Sequence, residues 1–100
     1  MGIDYAREKL LVAVHSLVSA QPLDKRLVNA VAGSLIRLTV EDIPTASRKD
    51  FQDLYHSLTK VAAKGDEGTI QATVSSMTVE EQENAADKIV ELFYDVYNAE

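Results

Sequence analysis

The sequence predicts an all-α fold: an up-and-down four-helix bundle, or a closely related small helical bundle, with a short extra helix near residues 70–77. Three observations carry that expectation. Apolar residues recur at spacings of three and four along nearly the whole chain, the period of an amphipathic helix. A junction occurs twice, Leu38-Thr39-Val40-Glu41-Asp42 and Met77-Thr78-Val79-Glu80-Glu81, in which a threonine follows an apolar stretch and an acid follows three residues later. This is the capping-box pattern, where the threonine oxygen and the acid satisfy backbone N–H groups that a new helix leaves unpaired. Finally, no segment alternates apolar and polar residues as a strand does, and no Asn-Gly or Asp-Gly hairpin turn is present.

Helix one is expected from about Asp4, as N-cap, to Ser19, with Leu10, Leu11, Val14, Leu17 and Val18 on one face. Ala20-Gln21-Pro22 breaks it, because the residue before a proline is pushed out of helical geometry; proline also suits the first turn of the next helix. Helix two then covers about Pro22 to Leu38. Leu23, Leu27, Val31, Leu35 and Leu38 make its core face, and Val28, Ala32 and Ile36, at spacing four, make a second apolar stripe beside it. An arc that wide implies more than one apolar neighbour. Ile43-Pro44 marks the next start, with Thr39 and Thr45 competing as caps, and helix three is expected to reach about Lys64 through Phe51, Leu54, Tyr55, Leu58, Val61 and Ala62. Gly65 is a natural stop and Asp66-Glu67-Gly68 a loop.

Ile70, Val74 and Met77 then suggest a short helix of two turns, weakened by Thr73, Ser75 and Ser76. The last helix begins after Thr78, with Ala85, Ala86, Ile89, Leu92, Phe93, Val96 and Tyr97 on one face and Glu80, Asp87, Glu91 and Asp95 on another. Superposing the two capping junctions also aligns Val31 with Ile70 and Tyr55 with Tyr94. Any two amphipathic helices joined by a capping box match that well, so the alignment is read as coincidence.

The 100 residues suit a single helical domain over 1–100, and 46% hydrophobic content suits a packed core rather than disorder. The absence of cysteine excludes disulfides, thiolate metal sites and thiol nucleophiles, and leans towards a cytoplasmic home. Leu10 to Val18 followed by Ser19-Ala20-Gln21 has the look of a signal peptide, but Asp4 and Glu8 spoil its basic end and His15 interrupts the apolar run. No uncharged stretch approaches the roughly 20 residues that cross a bilayer, so no membrane partner is expected. The net charge of −6 argues against a broad basic surface for nucleic acid. The charge is also uneven: residues 1–65 balance at +2 and residues 66–100 at −8. Either the last helix docks beside basic neighbours in its own fold, or it keeps an acidic face for a basic partner.

Chemistry is sparse. His15 falls at the edge of the helix-one stripe, and its plain reading is a boundary residue with one nitrogen in water. Asp53 and His56 stand three apart on one helix, yet the chain has no Glu-x-x-His and no His-Glu-x-x-His, so no metal or cofactor is expected. Gly65 and Gly68 flank two acids that would repel a phosphate, and Ser75 and Ser76 lack the Gly-x-Ser-x-Gly setting of a nucleophile. Phe51, Tyr55, Phe93 and Tyr97 sit on core stripes, which leaves no platform for stacking bases.

The expectation is therefore a non-enzymatic helical protein acting through protein contacts, by self-association (a homodimer, for example) or as an adaptor. Its apolar interface would be Val28, Ala32 and Ile36, unless the helix near 70–77 lies over that stripe and closes the core within one chain. The alternative is an acidic-face regulator, antitoxin-like, presenting Glu80, Asp87, Glu91 and Asp95 to a basic protein. An enzyme using His15 or the Asp53/His56 pair comes third.

Overall fold

Helices form where the apolar spacing predicts them, and the second and third are shorter than expected. The computed structural model describes residues 2–63, 65 and 68–99. Helix α1 spans Ile3–Leu17, α2 Leu23–Gly33, α3 Arg48–Thr59, α4 Gly68–Ser75 and α5 Val79–Tyr97. Three 3-10 turns, Leu35–Arg37, Val40–Asp42 and Thr45–Ser47, carry the chain from α2 to α3. Among the described residues there is no strand, and the fold is an all-helical bundle.

The helix ends have identifiable causes. Helix α1 starts one residue before Asp4: Gly2 precedes it at φ +68°, a conformation glycine adopts without strain. Asp4 sits inside the first turn, where its charge suits the helix dipole. At the other end Arg26 closes the connection to α2, its Nε donating to the Gln21 carbonyl and its Nη1 to the Leu17 carbonyl, both at 2.8 Å. Helix α2 stops at Gly33, well short of Leu38, because glycine is a poor helix former and Ser34 leaves helical geometry at φ −141°. The 3-10 turn that follows still delivers Leu35 and Leu38 to the core.

The first capping box forms, but it closes a three-residue 3-10 turn instead of opening a helix. Asp42 Oδ2 accepts from the Thr39 N–H at 3.0 Å and from the Thr39 hydroxyl at 3.2 Å, while Oδ1 accepts from the Gly2 N–H at 3.3 Å. Neither Thr39 nor Thr45 caps α3, whose first residue, Arg48, donates from Nε to the Ile43 carbonyl at 2.8 Å. Helix α3 ends at Thr59 and leaves Val61 and Ala62 outside it. The reason is tertiary: the Val61 N–H donates to the hydroxyl of Thr73 on α4, at 2.9 Å. Thr73 itself donates to the Thr69 carbonyl at 2.6 Å, so the residue expected to weaken α4 ties it to the chain after α3. The expected end of helix three at Lys64, and the loop residues Asp66 and Glu67, lie outside the described residues.

The second capping box works as read. The Glu81 N–H donates to Thr78 Oγ1 at 3.1 Å and the Thr78 N–H to Glu81 Oε1 at 2.8 Å, opening the nineteen-residue α5. Helix α5 packs on α1, α2 and α3; α1 also packs on α2, and α4 bridges α2 and α3. Leu10, Leu27, Leu35, Ile43, Leu58 and Ile89 are the largest fully buried side chains. Each contributes about 1.5–3 kcal/mol by leaving water. Buried Gln82 of α5 donates to the Val74 carbonyl at 3.2 Å and satisfies the end of α4.

Removing the second cap by Thr78→Ala should lower stability by about 1 kcal/mol in urea unfolding. Thr39→Ala, which frees only a 3-10 turn, should lower it less. The Asp42 carboxyl titrates below the usual carboxylate range, chiefly because of the Thr39 N–H and, against opposing burial, the Thr39 hydroxyl and Gly2 N–H. These bonds favour the charged form, so their stabilisation is present above the unfolded pKa of about 4 and is lost as pH falls through the lower folded value. Chemical denaturation should therefore show the wild type losing more stability below about pH 4 than Asp42→Asn does.

Candidate functional site

The apolar residues of α1 divide into two sets. Ala6, Leu10, Ala13 and Leu17 are buried, and the two alanines let neighbouring elements approach closely. Leu11 and Val18, expected on the core face, instead reach solvent at 42% and 76% exposure, with half-buried Val14 between them. Helix α5 divides in the same way. Its core strip is Gln82, Ala85, Ile89, Leu92 and Val96. Tyr97, expected inside, is 57% exposed, and Val90 and Tyr94 are exposed beside it at 44% and 67%.

These two outer sets meet. Arg7 of α1 donates from Nη2 to the Ala99 carbonyl at 2.6 Å, and its guanidinium lies 5.9 Å from the centre of the Tyr97 ring. The start of α1 thus lies at the end of α5, and the two packed helices run antiparallel. At equal rise per residue, this register sets Leu11 level with Phe93, Val14 with Val90 and Val18 with Ala86. The result is a continuous apolar seam along the outside of the α1–α5 pair. Phe93 and Tyr97 stack along it with ring centres 5.4 Å apart.

The stripe expected on α2 is interrupted. Val28 packs partly against the core, Ala32 is exposed near the end of α2, and Ile36 sits on the 3-10 turn beyond the Gly33–Ser34 break at 42% exposure. Helix α4 packs on α2, with Val74 buried and Ile70 and Met77 partly so. The three stripe residues therefore do not lie along one helix.

Glu80, Asp87, Glu91 and Asp95 are all exposed on α5. Glu91 and Asp95, with Lys88, line a cleft of about 350 Å³ whose other wall is Asp50, Asp53 and Ser57 of α3 and whose floor is Leu54 and Leu92. Arg7 is a basic neighbour docked at the end of this helix, but among the described residues no acid of α5 is in an ion pair. The two ion pairs among the described residues, Arg7–Asp4 and Lys49–Asp53, each lie within one helix and use no acid of α5. The Lys49 ammonium titrates above its usual range because of its 3.0 Å bond to Asp53.

The histidine candidates come apart. Asp53 opens onto the α3–α5 cleft, whereas His56 borders a different, shallow groove with Leu38, Val40, Phe51 and Tyr55. His15 is exposed on the outer face of α1. Among the described residues, no three His, Cys, Asp or Glu side chains gather in a metal-holding group, and no helix is long and apolar enough to cross a membrane.

Comparison with protein-family models, with curated proteins and with solved structures finds no match. Geometry and chemistry therefore carry the functional reading.

Arg7 holds the N-terminal end of the seam, with its Nε buried and unpartnered while Nη2 makes the strong bond. Arg7→Gln should loosen the end of α5. Amide exchange should accelerate at Asn98 and Ala99, which bond to the Tyr94 and Val96 carbonyls, while amides within α2 keep their protection.

Proposed function

We propose that the protein is a non-enzymatic helical module that acts through contacts with another protein, made on the α1–α5 seam. The observation that carries this reading is the seam itself. Leu11, Val18, Val90, Tyr94 and Tyr97 are large apolar or aromatic side chains in water along one helix pair. Contiguous apolar surface of this kind marks interaction sites, and exposed tyrosines supply contact area at low entropic cost. The Val28, Ala32 and Ile36 set is a weaker candidate for the same role, because the α2 break divides it. A reducing, cytoplasmic setting belongs to the proposal, supported by the complete absence of cysteine.

One observation favours a second reading, in which the acidic face is the contact. Glu91 and Asp95 confront Asp50 and Asp53 across the α3–α5 cleft, so carboxylates from two helices converge on one surface. A complex formed there should dissociate as salt rises and should ignore substitutions in the seam.

Capture of the tagged protein from its native cells, with Val18→Glu and Val90→Glu variants of unchanged circular dichroism as controls, separates the two. Both sites are already exposed, so the variants should fold. A partner retained by the wild type and lost by both variants is the expected result. A partner retained by all three overturns the seam as the contact surface.

A further inference from the structure

Building on the seam as a contact surface, we infer that its occupant is a basic amphipathic helix of another protein. Two antiparallel helices packed side by side leave a groove between their outer crests, and an amphipathic helix lying in such a groove is a recurrent recognition mode. The stretch from Arg7 to Val18 is about 17 Å of helix, so it matches roughly three turns of a partner.

Charge selects the kind of helix. Outward round α1 from Leu11 come Asp4, Glu8 and His15; outward round α5 from Val90 come Glu83, Tyr94 and Asp87, all exposed. The apolar stripe is thus edged by carboxylates on both sides. Arg7 is turned back onto Ala99 and Tyr97, Lys9 lies over the Tyr5 ring on the far flank of α1, and Lys88 faces the α3–α5 cleft. A helix with an apolar face flanked by lysine or arginine would bury that face in the seam and meet a carboxylate along either edge. A second copy of this chain would meet the reverse. Each copy carries −6, and a seam-to-seam pair sets Glu8, Glu83 and Asp87 against acids of the same kind.

Fluorescence anisotropy with a fluorescein-labelled helical peptide of about eighteen residues, leucines on one face and lysines on the other, tests this. A scrambled peptide of the same composition and a version with glutamate for lysine are the controls. Leu11→Ser with Val90→Ser removes apolar contact at constant charge; Glu8→Gln, Glu83→Gln and Asp87→Asn together remove charge at nearly constant shape. Circular dichroism confirms folding of each. The wild type should bind the patterned peptide at least about tenfold tighter than its scramble, and each variant set should weaken that binding roughly tenfold. Affinity should also fall as salt rises. Equal affinity for peptide and scramble, or unaltered binding by the folded Leu11/Val90 variant, overturns the inference. So does a seam-dependent dimer in sedimentation. If the peptide fails while seam-dependent capture of a native partner persists, the contact module stands and only the basic helix falls; loss of both removes the module as well.

Discussion

The structure depends on how α5 spends its one buried strip. Ala85, Ile89, Leu92 and Val96 supply the core face of a helix that packs on α1, α2 and α3, so the strip is used in full. Helix α1 answers with an equally narrow strip in which alanines at 6 and 13 separate Leu10 and Leu17. Leu11, Val14 and Val18 lie at the outer edge of the pair, on the side where Arg7 reaches Tyr97 and Ala99 of α5. The seam thus lies just outside the buried strips of the α1–α5 pair.

Polar stitches hold the chain around that pair. Arg7, Arg26 and Arg48 each donate to a backbone carbonyl near the end of a helix or turn, while the buried Thr73 accepts the Val61 N–H and the buried Gln82 donates to the Val74 carbonyl. Bonds from a charged group to a carbonyl are stronger than neutral ones, and they satisfy acceptors that helix ends leave open. Arg26 and Arg48 are therefore engaged with backbone instead of with acids, and Arg7 with both the Ala99 carbonyl and Asp4. The carboxylates of α5 form no ion pair among the described residues, and the seam and the α3–α5 cleft keep a negative surround.

Much of the fold was legible in the sequence and the seam was not. Helical periods and the Thr78 capping box located α5 correctly, because both are local signals. The Thr39 box misled for the same reason: its hydrogen bonds form in three residues and do not require a helix to follow. The end of α3 depends on Thr73 accepting the Val61 N–H, a tertiary event with no local pattern, whereas α2 ends on a local feature, Gly33 followed by Ser34 outside helical geometry. The apolar arc of helix one was as wide as that of helix two, and Ala6 and Ala13 marked its true inner strip. Reading Leu11, Val14 and Val18 as core hid the surface that the structure exposes.

We propose the α1–α5 seam as the contact surface, in preference to the α2 end and the α3–α5 cleft. Methyl NMR of the leucine, valine and isoleucine side chains tests it most directly, with the protein titrated against the partner captured from its native cells. The largest shifts are expected at Leu11, Val14, Val18 and Val90, with Ile36 and Leu54 unmoved. Shifts centred on Ile36 or Leu54, with the seam methyls silent, would contradict it.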